Sequence, residues 1–357
     1  MKWRCIVVLL VAACGKDKAP AVDAAPADQP VDMPVDMPID MPVDPLAQLQ
    51  TTGLCLDAGC TTFSPDVHEY EPQFPLWSDG ATKRRWFQLP PGTQIDTTNM
   101  DHWVFPVGTK FWKEFTRDGT RVETRMILKQ DADEDAAQAF FYIAYAWNAT
   151  QDATTAVSTG VTDANGTMHD IPSRANCREC HEALRPGRVL GFGAIQLDYN
   201  AAANLTDLDD LVAQNLLTTN PPGAQSPHFP LPGNASAAEK VAYGYLHANC
   251  GSCHNPTSDA HDVTPVDFRL DTTKLGSKAE IPAVVTTVGV KGRVIIDDPN
   301  CPLGVGCDTL VIPKDPDHSV VLQRYLTANG TLHMPKIASE VKDPDGQTAI
   351  TNWINAL

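Results

Sequence analysis

Two pentapeptides of the same form, Cys177-Arg178-Glu179-Cys180-His181 and Cys250-Gly251-Ser252-Cys253-His254, constrain this chain more than any other feature. In each, two thiols stand three positions apart, about one helical turn, and a histidine follows directly. This is the C-x-x-C-H pattern, in which each thiol forms a thioether to a haem vinyl group and the adjacent histidine reaches the iron. The spacing predicts two covalently attached haem c groups. Cys177, Cys180, Cys250 and Cys253 would bind the cofactor, and His181 and His254 would be the proximal iron ligands. Two other chemistries compete for the same residues. A structural zinc would draw four ligands together, but the motifs lie far apart in sequence with no ribbon-like hairpins around them. A redox dithiol would follow a strand of a thioredoxin-like unit, and neither motif has that context.

The second motif has fitting surroundings. A helix leads into Cys250, a His333-Met334-Pro335 turn comes later, and an amphipathic stretch closes the chain, which is the order of parts in a small single-haem cytochrome c. Met334 is the expected sixth ligand of that iron, with His333 as the alternative, and His plus Met ligation raises the reduction potential. The first motif lacks such a partner, because no methionine occurs between Met168 and Met334. Its sixth ligand is Met126, Met168, His169, His228 or none of them, and an open position would let a small molecule reach the iron.

The N-terminus reads as an export signal: Lys2 and Arg4, the apolar run Ile6 to Val11, then Val11-Ala12-Ala13-Cys14. The run is too short for a spanning helix, which takes about 20 residues. Small residues before a cysteine resemble a lipoprotein box, so residues 1–13 are expected to leave as a signal peptide and Cys14 to carry the lipid anchor. With no aspartate after Cys14, that resemblance implies the outer membrane of the cell envelope. Residues 14–50 form a Pro/Asp-rich tether with the repeat Val31-Asp32-Met33-Pro34, Val35-Asp36-Met37-Pro38, Ile39-Asp40-Met41-Pro42. It is too poor in bulky apolar residues to pack, and at about 3.1 Å per residue in polyproline geometry it reaches on the order of 90 Å. In an oxidising compartment Cys55 with Cys60 and Cys301 with Cys307 pair by proximity. The net charge of -17 repels nucleic acid and favours a basic redox partner protein. Oligomeric state is left open.

Residues 55–165 read as a β domain. Five of the seven tryptophans fall between Trp77 and Trp147. Val122, Thr124, Met126 and Leu128 alternate with Arg121, Glu123 and Arg125, and Asp118-Gly119 marks a hairpin between this run and Phe111 to Thr116. Phe140 to Trp147 is a further, well-buried strand, and the expected arrangement is an antiparallel sandwich or small barrel. Residues 166–232 form the first haem-binding segment, with a helix over 204–215 capped by Thr206. Residues 233–357 form a cytochrome c-like domain with a helix from Ala237 to Ala248, capped by Ser236 and carrying Val241 and Tyr245 one turn apart. Ile350, Trp353, Ile354 and Leu357 share a face of the last helix. The fold class is thus α+β multidomain, a β domain followed by mainly α haem domains. No Ser/His/Asp order, Gly-rich phosphate loop or helix-borne His pair marks a hydrolase, and no catalytic residue is assigned.

Several ordered segments carry a family resemblance: Pro75-Leu76-Trp77-Ser78-Asp79-Gly80-Ala81-Thr82-Lys83-Arg84, then Trp103 to Thr109, then the first haem motif followed by Val189-Leu190-Gly191-Phe192 and Gln196-Leu197. Over roughly residues 65–200 the chain resembles a group of exported bacterial c-type haem proteins, and its C-terminal part, with Pro316-Asp317-His318-Ser319, resembles a cytochrome c domain. The resemblance implies haem and iron binding and electron transfer, without a substrate. The expected function is a lipid-anchored dihaem cytochrome carrying electrons outside the cytoplasm. A haem-dependent oxidoreductase is the first alternative, and a binding protein with structural haem the second.

Overall fold

Strands come first along the chain and helices follow. The computed structural model describes residues 46–136, 138–182, 189–292, 308–327, 333–335 and 340–357. Among them the strands are β1 (His68–Tyr70), β2 (Thr82–Gln88), β3 (Asp96–Asn99), β4 (His102–Val104), β5 (Lys110–Arg117), β6 (Thr120–Lys129), β7 (Phe140–Trp147) and β8 (Thr154–Val157). The helices are α1 (Arg174–His181), α2 (Ala194–Leu197), α3 (Leu208–Ala213), α4 (Ala237–Asn249), α5 (Asp259–Val263), α6 (Pro282–Thr287), α7 (Val320–Leu326) and α8 (Pro344–Ala356). The fold is α+β. The signal peptide, Cys14, most of the tether and the Cys301–Cys307 pair lie outside the described residues.

Six strands form one antiparallel sheet in the order β1-β2-β5-β6-β7-β8, and β3 pairs with β4 as a ribbon. Asp118 and Gly119 both take positive φ, 50° and 79°, the backbone that a tight two-residue hairpin between β5 and β6 requires. The expected sandwich is instead a single main sheet buried on both faces. On one face Trp86, Trp112, Met126 and Ile143 stand in register across four strands. They are covered by Leu46, Leu49, Leu54 and the Cys55–Cys60 disulfide. Leu46 and Leu49, inside the segment assigned to the tether, are therefore packed, because they have a tryptophan-lined face to cover. On the other face Phe87, Phe111, Ile127 and Tyr142 form the matching row, covered by Val189, Phe192, Leu197, Leu208 and Leu211.

Phe192 is the hub of that second core. Its ring lies 4.8 Å from Tyr70, 4.9 Å from Phe87, 5.1 Å from Phe111, 5.7 Å from Trp103 and 5.9 Å from Phe105, centroid to centroid. Edge-on and tilted aromatic contacts of this kind add to the area they bury.

The helical half has its own core. Ser236 caps α4 by accepting from the Glu239 amide while the Glu239 carboxylate accepts from Ser236 N. Ala242, Tyr243 and Leu246 of α4 then pack on Ile350, Trp353 and Ile354 of α8. Val241, paired with Tyr245 on the expected face, is 61% exposed; the buried face lies one position further on. The helix placed over 204–215 is only α3, because Thr206 N is bonded to Glu69 O beside β1 and Asp207 takes the capping role. No described helix is long and apolar enough to cross a membrane.

Replacing Phe192 by Ala is expected to lower stability by about 3–5 kcal/mol in urea denaturation. Val241→Ala should change it by less than about 0.5 kcal/mol. Equal effects would remove Phe192 from the centre of the core.

Candidate functional site

Each motif is placed by local geometry. Ser173 and Asn176 form a reciprocal cap that starts α1, so Cys177, Cys180 and His181 fall on its last turns. None of the eight α1 residues is fully buried, Cys177 and Cys180 being half-buried, and the helix leans on β7 through the Tyr142 ring, 5.4 Å from that of His181. The second motif follows the end of α4. Cys250 N bonds to Leu246 O, and Cys253 N and His254 N then turn back to Cys250 O at 3.1 and 2.8 Å. Gly251 is required in that turn, since a Cβ would stand 2.7 Å from His247 O and 3.0 Å from Arg269 Cα. Asn255 holds the loop from within, its amide donating to Gly251 O and Ser252 O.

The two motifs, far apart in sequence, line one cavity of about 1100 Å³ between the sheet and helices α1, α4 and α7. Cys177, Cys180, His181, Cys250, Cys253, His254 and Met334 are all on its wall. This is above the ~300–1,000 Å³ of most small-ligand sites. Of the sixth-ligand candidates for the first motif, Met126, Met168 and His169 line the cavity. His228 does not; its ring bonds Pro222 O and Asp209. Met126 packs into the opposite face of the sheet, His169 donates from Nε2 to Glu123 at 2.7 Å, and Met168 is 60% exposed. On the other wall His333 donates from Nδ1 to Thr327 O at 2.7 Å, and Met334 N bonds to Arg324 O.

One segment ties the walls together. Trp77 N donates to Asn249 Oδ1 at 2.7 Å, next to Cys250, while its indole donates to Val341 O at 2.8 Å. Asp79 accepts from Val341 N at 2.8 Å, and Phe74 N donates to the buried Gln196. The distinctive 75–84 run is thus a strut, and part of it, Leu76 to Asp79, also faces the cavity.

The thiols are not tuned for redox exchange. Burial pushes Cys180 up to about 11 and Cys250 up to about 12, each reinforced by Cys253, and burial also raises Cys177 against the pull of Arg125. A dithiol oxidoreductase needs the opposite shift. None of the four is in a disulfide. Among the described residues no three His, Cys, Asp or Glu side chains converge.

The alternation in β6 sets Arg121, Glu123 and Arg125 against Val122, Thr124, Met126 and Leu128. Glu123 is wholly buried, bonded to Arg125 and His169, and Arg125 lines the cavity. Burial alone would raise the Glu123 carboxyl, but Arg125 and the hydrogen bonds from His169 and Arg125 outweigh it and hold the group below its ordinary value. Alternation identified this face correctly, but nothing in one strand reveals that the face turns inward.

No protein-family model, curated protein or solved structure matches the chain.

Because the Glu123 carboxyl is depressed in the fold, its pairing contributes stability above the ordinary value of 4.5 that is lost as the pH falls further. Glu123→Gln should cost roughly 3 kcal/mol at neutral pH, the low end for a broken buried pair since Arg125 is 31% exposed. Its stability should also fall less steeply than wild type from pH 5 to about pH 3 in denaturant titrations. Parallel pH curves would mean that Glu123 is not ionised in the native protein.

Proposed function

We propose that this chain is a dihaem c-type cytochrome that moves electrons outside the cytoplasm, with both haems held in the one cavity. The observation that carries this is the convergence of both C-x-x-C-H motifs and Met334 on a single wall-to-wall space. The donor set fits the group. Haem brings four nitrogens to its iron, so each site asks the protein for only one histidine and one further ligand, and each motif supplies the histidine, His181 or His254.

Cys177 and Cys180 would anchor the first haem with His181 as proximal ligand, and Cys250 and Cys253 the second with His254. Met334 is the sixth ligand proposed for the second iron. Met168, exposed at the cavity wall, is the one proposed for the first, since His169 is engaged by Glu123 and Met126 by the opposite core. Bound haem supplies one-electron chemistry. The chain's own residues exclude water with the aromatic wall of Tyr70, Trp77, Phe111 and Tyr142, and fix the motifs relative to each other through the 74–79 strut. The cytochrome c-like character of the C-terminal part draws support from the α4–motif–α8 order and the packing of α4 on α8. Lipid attachment at Cys14 and an envelope location complete the proposal, with the tether giving reach. A haem-dependent oxidoreductase is a second reading, favoured by the exposure of Met168, which a small oxidant could displace.

Protein matured in a strain that attaches haem c should carry two haems per chain by pyridine haemochrome. Cys177→Ala with Cys180→Ala should remove one, and Cys250→Ala with Cys253→Ala the other. Met334→His should keep both haems but lower one potential. One haem in the wild type, or none, would sink the proposal.

A further inference from the structure

A row of cations crosses the sheet where it meets the first motif. Arg85 of β2 stands opposite Lys113 of β5, and Lys113 opposite Arg125 of β6, directly in register. The strand period places the three on the same face as Phe87, Phe111 and Ile127, with Lys83 one step further along β2. Like charges directly opposite on neighbouring strands are destabilising, so three in a row need an outside reason.

The available counter-charge is small. Arg125 pairs with Glu123, which also acts on Lys113, while Asp79 and Asp343 act on Lys83, and Glu71 acts on Arg85, without forming ion pairs with these three among the described residues. Arg85 is 2% exposed and its Nε has no hydrogen-bond partner in the described structure. Lys113 faces the cavity, makes no ion pair among the described residues, and is held well below a lysine's ordinary value by burial and by Arg85, Arg125 and Lys83. Lys83 falls to about 7 for the same reasons, burial first and then Arg85 and Arg125. Arg125 lies close enough to Cys177 and Cys180 for their charges to interact.

We infer that Lys113 and Arg125, backed by Arg85 and Lys83, form a binding site for a carboxylate-class anion on the sheet wall of the cavity, beside the first motif. An anion there would neutralise the row and accept hydrogen bonds from the lysine and the guanidinium fork. Two sources share this chemistry: a propionate of a haem attached at Cys177 and Cys180, and a free small carboxylate from solution. The site rests on the sheet geometry alone; its assignment to a propionate rests also on the haem proposal.

The test uses the full haem-matured chain as wild type, Lys113→Gln, Lys113→Arg and the exposed-lysine control Lys291→Gln, with haem counted first. The first-haem potential is measured in carboxylate-free buffer, and acetate is then titrated by absorption and calorimetry. A nearby cation favours the added electron, so Lys113→Gln should lower that potential, Lys113→Arg should restore it, and Lys291→Gln should leave it unchanged. With this pattern, no response to acetate assigns the site to a propionate. Saturable acetate binding, weakened at least tenfold in Lys113→Gln, assigns it to a free carboxylate. Should the Gln variant not fold, Lys113→Met serves the same comparison. Identical behaviour of the Lys113 and Lys291 variants in both potential and acetate binding overturns the inference. Absence of haem defeats the cytochrome proposal alone, and acetate calorimetry on the same samples then decides the site.

Discussion

The hydrogen bonds of Trp77 hold the centre of this protein together. One end of the residue meets Asn249, immediately before Cys250, and the other meets Val341, near the Met334 turn. The strand that follows, β2, carries part of the aromatic row and of the cation row. A single short segment therefore fixes the second motif against the sheet on which the first motif leans. Close packing enforces the arrangement, since a Cβ on Gly244 of α4 would collide with the Phe74 ring and one on Gly346 of α8 with Tyr245. The cavity is a consequence of this bracing, its two walls belonging to different halves of the chain.

Local chemistry made much of this legible in advance. The motif spacing, the Asp118-Gly119 turn, the Phe140–Trp147 strand and the Ser236 cap are short-range demands, and each sits where its own residues require. Long-range pairing was not legible. The alternation in β6 separates two faces but does not tell that Ile127 and Tyr142 continue the charged one under Phe192. Leu46 and Leu49 read as the end of a tether until the tryptophan row gives them a surface to bury. The sharing of one cavity by both motifs depends on Asn249 meeting Trp77, a contact that no spacing rule contains. The 75–84 run stood out in the sequence without revealing that its first task is mechanical.

Two electrostatic features bear on the proposed electron carrier. The Cys180 and Cys250 thiols are pushed up by burial, the opposite of what thiol exchange asks. Lys113 and Arg125 of the cation row lie on the cavity wall, so the proposed anion would sit inside the cavity and the row would not steer a partner. A basic redox partner would be guided by the acidic exterior implied by the net charge of -17.

The most direct test of the central claim, that two haems share one cavity, is electron paramagnetic resonance of the fully oxidised and half-reduced protein. The Cys180 and Cys253 sulfurs are near enough for charge on one to shift the other. Two haems attached there are predicted to give mutually broadened signals, so that reducing one sharpens or shifts the other. Two signals that respond independently, each unchanged by reduction of its neighbour, would contradict the shared cavity.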